Sequence, residues 1–392
     1  MPKLAGKEYC TGCTACAAAC PGGCIRMEPD ENGFLYPKVE ETACVDCGLC
    51  GKVCPVLSEN RRESPAPEVW AAFSRNEKNR LASSSGGVFS ELAQWVMTQG
   101  GAVFGAAYDG TFGVIHRPAE NAEDLARFRG AKYAQSDLGD TFRQVKTRLD
   151  RGQKVLFSGT PCQVAGLKAY LGKDEENLIT VDVVCHSVPS PRAWQAYVRH
   201  RAIQDNRGEL PSAINLRAKE TGWSRYSYCA RYEYEDGFVR TETSGQSLYM
   251  RLFVGGFLSR ESCANCAFKG SADPADLTLG DFWGIWNVCP EMDDNKGTSL
   301  VVVRSARGKE LLRQISDKLL LKSVSLEDAS RENPALCRST RPNGNREIAL
   351  ELIRRGDFRQ LEEMFSQSGG KAQGAEPGLV HRILKKLGLR KD

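Results

Sequence analysis

Cys10-x2-Cys13-x2-Cys16-x3-Cys20-Pro21 and Cys44-x2-Cys47-x2-Cys50-x3-Cys54-Pro55 repeat one spacing within the first 55 residues of a 392-residue chain. Thiolates spaced in this way hold a pair of 4Fe–4S clusters. Two intervening residues let three successive side chains turn inward from one tight loop, and the fourth cysteine, just before proline, reaches back to the other cluster. The spacing assigns Cys10, Cys13, Cys16 and Cys54 to one cluster, and Cys44, Cys47, Cys50 and Cys20 to the second. A disulfide framework would suit a short exported chain; this one opens Met-Pro-Lys-Leu-Ala-Gly-Lys-Glu-Tyr, without an apolar leader. A zinc ribbon would use isolated CxxC pairs rather than two four-cysteine runs. Cys24 suits a small packed position, not a ligand.

Residues 1–57 therefore read as a two-cluster ferredoxin-type domain, too small to bury much core, so that the clusters themselves hold the fold. Residues 58–68 are polar and proline-containing, a semi-extended linker. Residues 366–392 begin as a Gly/Ala/Ser linker and end in a short basic amphipathic segment, Leu379 to Leu387. A segment that short is expected to rest on its own protein rather than on an anionic membrane surface or a partner.

The whole chain has room for two to three domains. It is 41% hydrophobic and 26% charged, ordinary for a globular protein. A net charge of +4, without Lys/Arg runs interleaved with aromatics, argues against a nucleic-acid partner. No stretch approaches the ~18 consecutive apolar residues of a membrane-spanning helix. Sixteen cysteines without an export signal point to a reducing, cytoplasmic setting.

Beyond the linker, strand and helix signals alternate. Ser83, Ser84 and Ser85 are candidate N-caps for a helical stripe of Val88, Phe89, Leu92, Ala93, Val96 and Met97. Gly100-Gly101 ends it, and Ala102 to Tyr108 reads as a buried strand. A helix is expected over Asp140 to Asp150. A strand at Lys154 to Phe157 then turns through Ser158-Gly159-Thr160-Pro161 into a helix carrying Val164, Leu167 and Leu171. Leu178 to Val184 is a further strand, followed by a helix near Pro191 to Ile203. Residues 224–242 suggest a hairpin turning at Asp236-Gly237. Leu277 to Trp283 and Leu300 to Val303 are later strands, and the end is helical. The expected class is α/β, mixed with α+β character, with some parallel pairing.

Clusters move single electrons, so something downstream must exchange them. Cys162 and Cys185 each end an apolar strand, where sites of open α/β sheets gather, and Cys263 and Cys266 form a CxxC pair. Spacing alone leaves open whether these four hold a third 4Fe–4S cluster or are buried small hydrophobes. Ser85-Gly86-Gly87 at a helix start could cradle a pyrophosphate, with Lys132 and Tyr133 adding a cation and a ring, or could be a plain capped helix. A flavin, FAD, is the economical converter between one-electron clusters and hydride chemistry. No GxGxxG fingerprint supports a nicotinamide domain.

Several runs resemble the coenzyme F420 hydrogenase/dehydrogenase beta-subunit family. They are Ser84 to Ser90, Lys132 to Ser136, Phe157 to Leu167, Val184 to Pro191, Thr221 to Trp223, Ser262 to Gly270 and Thr278 to Gly284, in order between about residues 69 and 305. The resemblance implies that residues 69–150 and 151–365 are two parts of one mixed-sheet, flavin-binding catalytic domain. It implies a third cluster on Cys162, Cys185, Cys263 and Cys266. It supports a flavin held near Ser85, Gly86, Gly87, Lys132, Tyr133, Gly159 and Thr160. Ser187 departs from the family pattern, which commonly has glycine there. Cys229, Cys289 and Cys337 are left as spare thiols.

The expected activity is that of an oxidoreductase relaying electrons between clusters and FAD, exchanging hydride with F420 or reducing another conjugated substrate. A ferredoxin-like donor or a redox partner subunit would supply or accept electrons. Lys132, His186, Lys269 and Asp281 are the candidates to hold the flavin or move a proton. The competing class is a non-autonomous electron-transfer subunit of a larger hydrogenase or dehydrogenase.

Overall fold

The computed structural model describes residues 3–58, 67–205, 207–272 and 274–367. Most of the 58–68 linker, and the basic segment Leu379 to Leu387, lie outside these residues.

The N-terminal unit is a hairpin of β1 (Ile25–Pro29) and β2 (Leu35–Val39) with two short helices, Ala15–Ala19 and Leu49–Lys52. Its small core consists largely of thiols: Cys24, Ile25 and Cys50 are buried, with Cys16, Cys20 and Cys44 packed around them. So little aliphatic surface is buried that bound clusters are the natural source of its stability.

The rest is built on one eight-stranded mixed sheet. Its members are β3 (Glu68–Ser74), β4 (Ala102–Tyr108), β5 (Val114–Ala119), β6 (Val155–Gly159), β7 (Leu178–Val183), β11 (Leu277–Asp281), β12 (Ser299–Val303) and β13 (Leu319–Val324), in the order β13-β3-β12-β11-β7-β6-β4-β5. The centre, β4-β6-β7-β11, is parallel, and antiparallel strands flank it. Strands from 69–150 and 151–365 interleave, since β4 pairs with β6 and β3 with β12. β8 (Ala213–Ala218), β9 (Cys229–Glu233) and β10 (Val239–Thr243) make a separate antiparallel sheet.

Central strands covered on both faces read as continuous apolar runs, and successive residues still alternate between the faces. Val103, Leu156, Ile179 and Val301 pack beneath Leu92 and Val96 of helix Val88–Thr98 and Leu311 of helix Ala306–Gln314. Phe104, Phe157 and Leu178 face the other way, onto Phe142 and Val145 of helix Thr141–Asp150 and Val164 and Leu167 of helix Pro161–Leu171. Cys13 and Ala15 of the N-terminal unit belong to that same core. The unit is therefore docked on this face. Polar ties reinforce it: Arg143 donates to the Ala17 carbonyl (3.0 Å) and Arg354 to Asn32 Oδ1 (2.6 Å).

Expected strands, helices and the Asp236-Gly237 hairpin fall where the patterns indicate, whereas β3, β5, β8 and β13 carry no alternation clear enough to announce them. The serine caps are a correction. Helix Val88–Thr98 is capped by Gly87 in the left-handed region (φ 86°), with no side-chain cap bond. The hydroxyls are spent elsewhere: Ser83 Oγ on the Asn79 carbonyl (2.7 Å) and Ser85 Oγ on the Thr298 carbonyl (2.9 Å).

Candidate redox site at the junction of ferredoxin module and sheet

The two cysteine runs fold alike although their intervening residues differ. Gly12 and Thr14 have positive φ in the first run (68° and 69°), and Asp46 and Gly48 occupy the matching positions of the second (51° and 71°). These left-handed steps turn each loop back on itself, as a loop must to aim three thiols inward. One cavity is lined by Cys10, Cys13, Cys16 and Cys54, and another by Cys20, Cys44, Cys47 and Cys50. The last cysteine of each run thus crosses to the other's cavity. Cys24 lines the second cavity as well, its Sγ 3.3 Å from that of Cys20. The second cavity is the outer one: Cys47 is exposed and its neighbour Val45 is 75% exposed.

Four thiols from distant segments gather at the carboxyl ends of the parallel strands. Cys162 opens helix Pro161–Leu171, which is started by a capping box between Thr160 and Gln163, and Thr160 Oγ1 lies 3.1 Å from Cys162 Sγ. Cys185 follows β7, Cys263 ends a short 3-10 turn, and Cys266 lies three residues on. Burial pushes Cys162 up to about 12, and the thiols of Cys266 and Cys263 add to the rise. Burial also raises Cys185, and Lys269 opposes that rise. Burial likewise raises Cys263, against the Val188 N–H at 3.3 Å from its Sγ. Thiols held this way are poor nucleophiles; they suit ligands that iron deprotonates.

The other sequence candidates divide. Lys269 Nζ donates to the carbonyls of Cys185 and Ala335, so it braces the four-thiol site. His186 packs edge-on against Phe253 (5.2 Å) and is tied to Thr340 through its carbonyl. Asp281, at the end of β11, pairs bidentately with buried Arg217 (2.6 and 3.0 Å), a residue the sequence patterns did not single out. Arg217 also donates to the Tyr133 hydroxyl (3.2 Å) and lies over the Tyr228 ring (4.2 Å). Burial lowers Lys132 to about 7, and its Nζ donates to the Arg129 carbonyl (2.9 Å).

The Ser85-Gly86-Gly87 turn is committed internally. Gly86 N–H donates to Ser299 Oγ (2.9 Å), and a side-chain carbon there would meet the Ala72 carbonyl and lie 2.8 Å from Ser299 N. Lys219 donates to the Ser85 carbonyl (2.6 Å). Glycine at 86 is thus required by close packing on the sheet, and its N–H is not free for a phosphate. Thr160 N–H is likewise used, by Gln163 Oε1 (2.9 Å), and Gly159 lies against the same Gln163 side chain. By contrast Tyr108 Oη, Arg129 Nε and Arg217 Nε are buried without a hydrogen-bond partner among the described residues. Buried donors left over in this way mark places where a further group fits.

Fold and sites together define an iron–sulfur redox protein, a dicluster module docked on a mixed sheet that carries a second set of thiols. Residues 9–57 match the 4Fe-4S dicluster domain, and residues 152–329 match the C terminus of the coenzyme F420 hydrogenase/dehydrogenase beta subunit. The chain thus joins an N-terminal 4Fe-4S dicluster domain to the C-terminal region of the coenzyme F420 hydrogenase/dehydrogenase beta-subunit family.

Over 170 residues it is 27% identical to the coenzyme F420-dependent sulfite reductase of Methanocaldococcus jannaschii, which is 43% of this chain and 26% of that protein. The chain thus spans about a quarter of that relative's length. A 7Fe ferredoxin of Hydrogenibacillus schlegelii is 37% identical over 75 residues, 19% of this chain and 86% of the ferredoxin. A chain of the F420-reducing NiFe hydrogenase complex of Methanosarcina barkeri aligns with a TM-score of 0.48 at 18% identity, over 81% of this chain and 98% of that one. No helix among the described residues is long and apolar enough to cross a membrane.

Proposed function

We propose that the chain is an FAD-dependent iron–sulfur oxidoreductase that passes electrons between its ferredoxin clusters and a flavin, and exchanges hydride with F420 or another flat conjugated substrate. The observation that carries this reading is the close approach of Cys13, in the inner cavity, to helix Pro161–Leu171, which carries Cys162. Burial raises the Cys13 thiol, and Cys162 is among the neighbouring thiols that add to the rise. A run of thiols therefore leads from exposed Cys47 inward through Cys13 to the four-thiol site.

In this reading Cys10, Cys13, Cys16 and Cys54 hold the inner cluster, and Cys20, Cys44, Cys47 and Cys50 the outer. Cys162, Cys185, Cys263 and Cys266 hold a third. A bound flavin supplies the conversion between single electrons and hydride. Its binding region is the ground around Tyr108, Arg129, Lys132, Tyr133 and Arg217, where the partnerless buried donors suit an anionic diphosphate and a polar ring. Arg217 is kept charged and oriented there by Asp281. Asp281 is accordingly its counter-ion rather than a proton donor. Lys132, neutral above about pH 7, can release or take up a proton near the ring.

Anaerobic purification with iron and flavin counts tests this: about twelve irons for three clusters, and released FAD on denaturation. Eight irons would remove the third cluster, and no released flavin would end the flavin reading. Turnover of F420 by the isolated chain with a reduced ferredoxin separates a self-standing enzyme from a subunit that exchanges electrons only within a larger complex.

A further inference from the structure

Arg260 is 1% exposed and bridges the two halves of the thiol path. Its backbone belongs to the loop of the four-thiol site: its N–H donates to the Val188 carbonyl (2.9 Å), and its carbonyl accepts from Cys263 N–H (3.1 Å). Its side chain leaves that loop and enters the ferredoxin module. Nε donates to the Cys10 carbonyl (2.8 Å), one terminal nitrogen to Gln135 Oε1 (3.1 Å), and the other to the Leu35 carbonyl (3.0 Å). That last nitrogen also lies 3.8 Å from Cys10 Sγ. The guanidinium stacks on Tyr36 at 3.9 Å. Gly12 makes room for it, since a side-chain carbon there would lie 2.8 Å from the Leu35 carbonyl and 3.1 Å from the guanidinium.

Among the described residues the hydrogen-bond partners of this side chain are neutral carbonyls and an amide, together with the sulfur of Cys10. A full positive charge is therefore held inside the protein beside Cys10. A buried cation this close to a redox centre favours its state with one more electron, because low-dielectric surroundings do not screen it.

We propose that Arg260 is a positioning residue for electron transfer, its charge setting the reduction potential of the inner ferredoxin cluster while its hydrogen bonds lock the loop of the four-thiol site to the ferredoxin module. This rests on the ligand assignments of the preceding section. Iron counts and the number of cluster signals in the unaltered holoprotein check those assignments separately.

The test is a redox titration followed by electron paramagnetic resonance on intact holoprotein. R260M removes the charge, R260K keeps it, and Q135E places a carboxylate against the guanidinium while preserving every acceptor role of Gln135. In R260M and Q135E the potential of the inner cluster is expected to fall, disfavouring its reduction by at least about tenfold, or ~59 mV for one electron. R260K should stay near the unaltered protein. The outer cluster is the internal control and should move least. If R260M sheds iron, Q135E carries the measurement. Unmoved potentials in Q135E, or an equal fall in R260K and R260M, overturn the proposal.

Discussion

A side-chain carbon on Gly166 would lie 2.8 Å from Cβ of Cys13 and 2.9 Å from its Sγ. Gly166 sits within the helix that carries Cys162 in its first turn, so the absence of a side chain there sets how closely the inner ferredoxin cavity approaches the four-thiol site. In most helices Gly→Ala is favourable by roughly 0.5–1 kcal/mol. Here the clash decides the sign. Overpacking of this kind costs about 1–3 kcal/mol. G166A is expected to lower the thermal midpoint and to reduce iron per chain, both read on anaerobically purified protein. A rise in stability with unchanged iron would mean that the helix simply moves aside.

The crossed cavities predict unequal effects of serine at the two crossing cysteines. Cys24 Sγ is 3.3 Å from Cys20 Sγ in the outer cavity, so Cys24 can replace it. C20S should keep the outer cluster with an altered spectrum, and C20S/C24S should lose it. Cys54 has no such neighbour among the cysteines lining its cavity, and C54S should lose the inner cluster outright. Equal iron loss in C20S and C54S would refute the substitution.

Arg217 and Asp281 make a buried, bidentate pair. Removing one partner strands a charge at a cost of about 3–5 kcal/mol, whereas replacing both is much milder. D281N and R217M should each lower the unfolding midpoint more than R217M/D281N does, in a double-mutant cycle followed by thermal unfolding. Flavin retention should fall in every variant lacking Arg217. A D281N protein that loses turnover while keeping full stability would instead restore Asp281 as a proton donor.

Burial lowers Lys132 to about 7 from the ordinary lysine value of 10.5. Between those values the unfolded chain binds the extra proton, so this residue makes stability rise with pH, by at most about 1.4 kcal/mol per pH unit. His116 behaves alike at lower pH. Burial takes it from 6.5 to about 4, so stability falls as pH drops through that window. In K132M the alkaline part of the slope should flatten and the acid part persist. Midpoints measured from pH 5 to 9 check both. An unchanged alkaline slope in K132M would mean that Lys132 titrates normally.

The α/β alternation was legible because runs such as Val155 to Phe157 and Leu178 to Val181 are buried on both faces, and that burial writes itself into local composition. β3, β5, β8 and β13 were not legible, and the docking of the ferredoxin module on the sheet left no periodic mark. Lys132 and Asp281 were singled out by type, but their environments were not. Arg217 and Arg260 were missed because a lone arginine shows its burial only through its partners. The weak clue was each one's setting, Arg217 within the apolar stretch Leu216 to Ala218 and Arg260 three residues before Cys263.

The sequence by itself determined the two four-cysteine runs and their crossed pairing, because loop length and thiol spacing are local properties of a short segment. It also determined the strand–turn–helix that carries Cys162, through the Thr160 cap and Pro161. Tertiary structure alone decided which distant groups meet. It brought Cys162, Cys185, Cys263 and Cys266 together, committed the Gly86 N–H to Ser299, set Gly166 beneath Cys13 and drove Arg260 into the ferredoxin module. Each of these depends on the approach of segments far apart in the chain. No local propensity encodes such an approach, which is settled by how sheet, helices and module close-pack against one another.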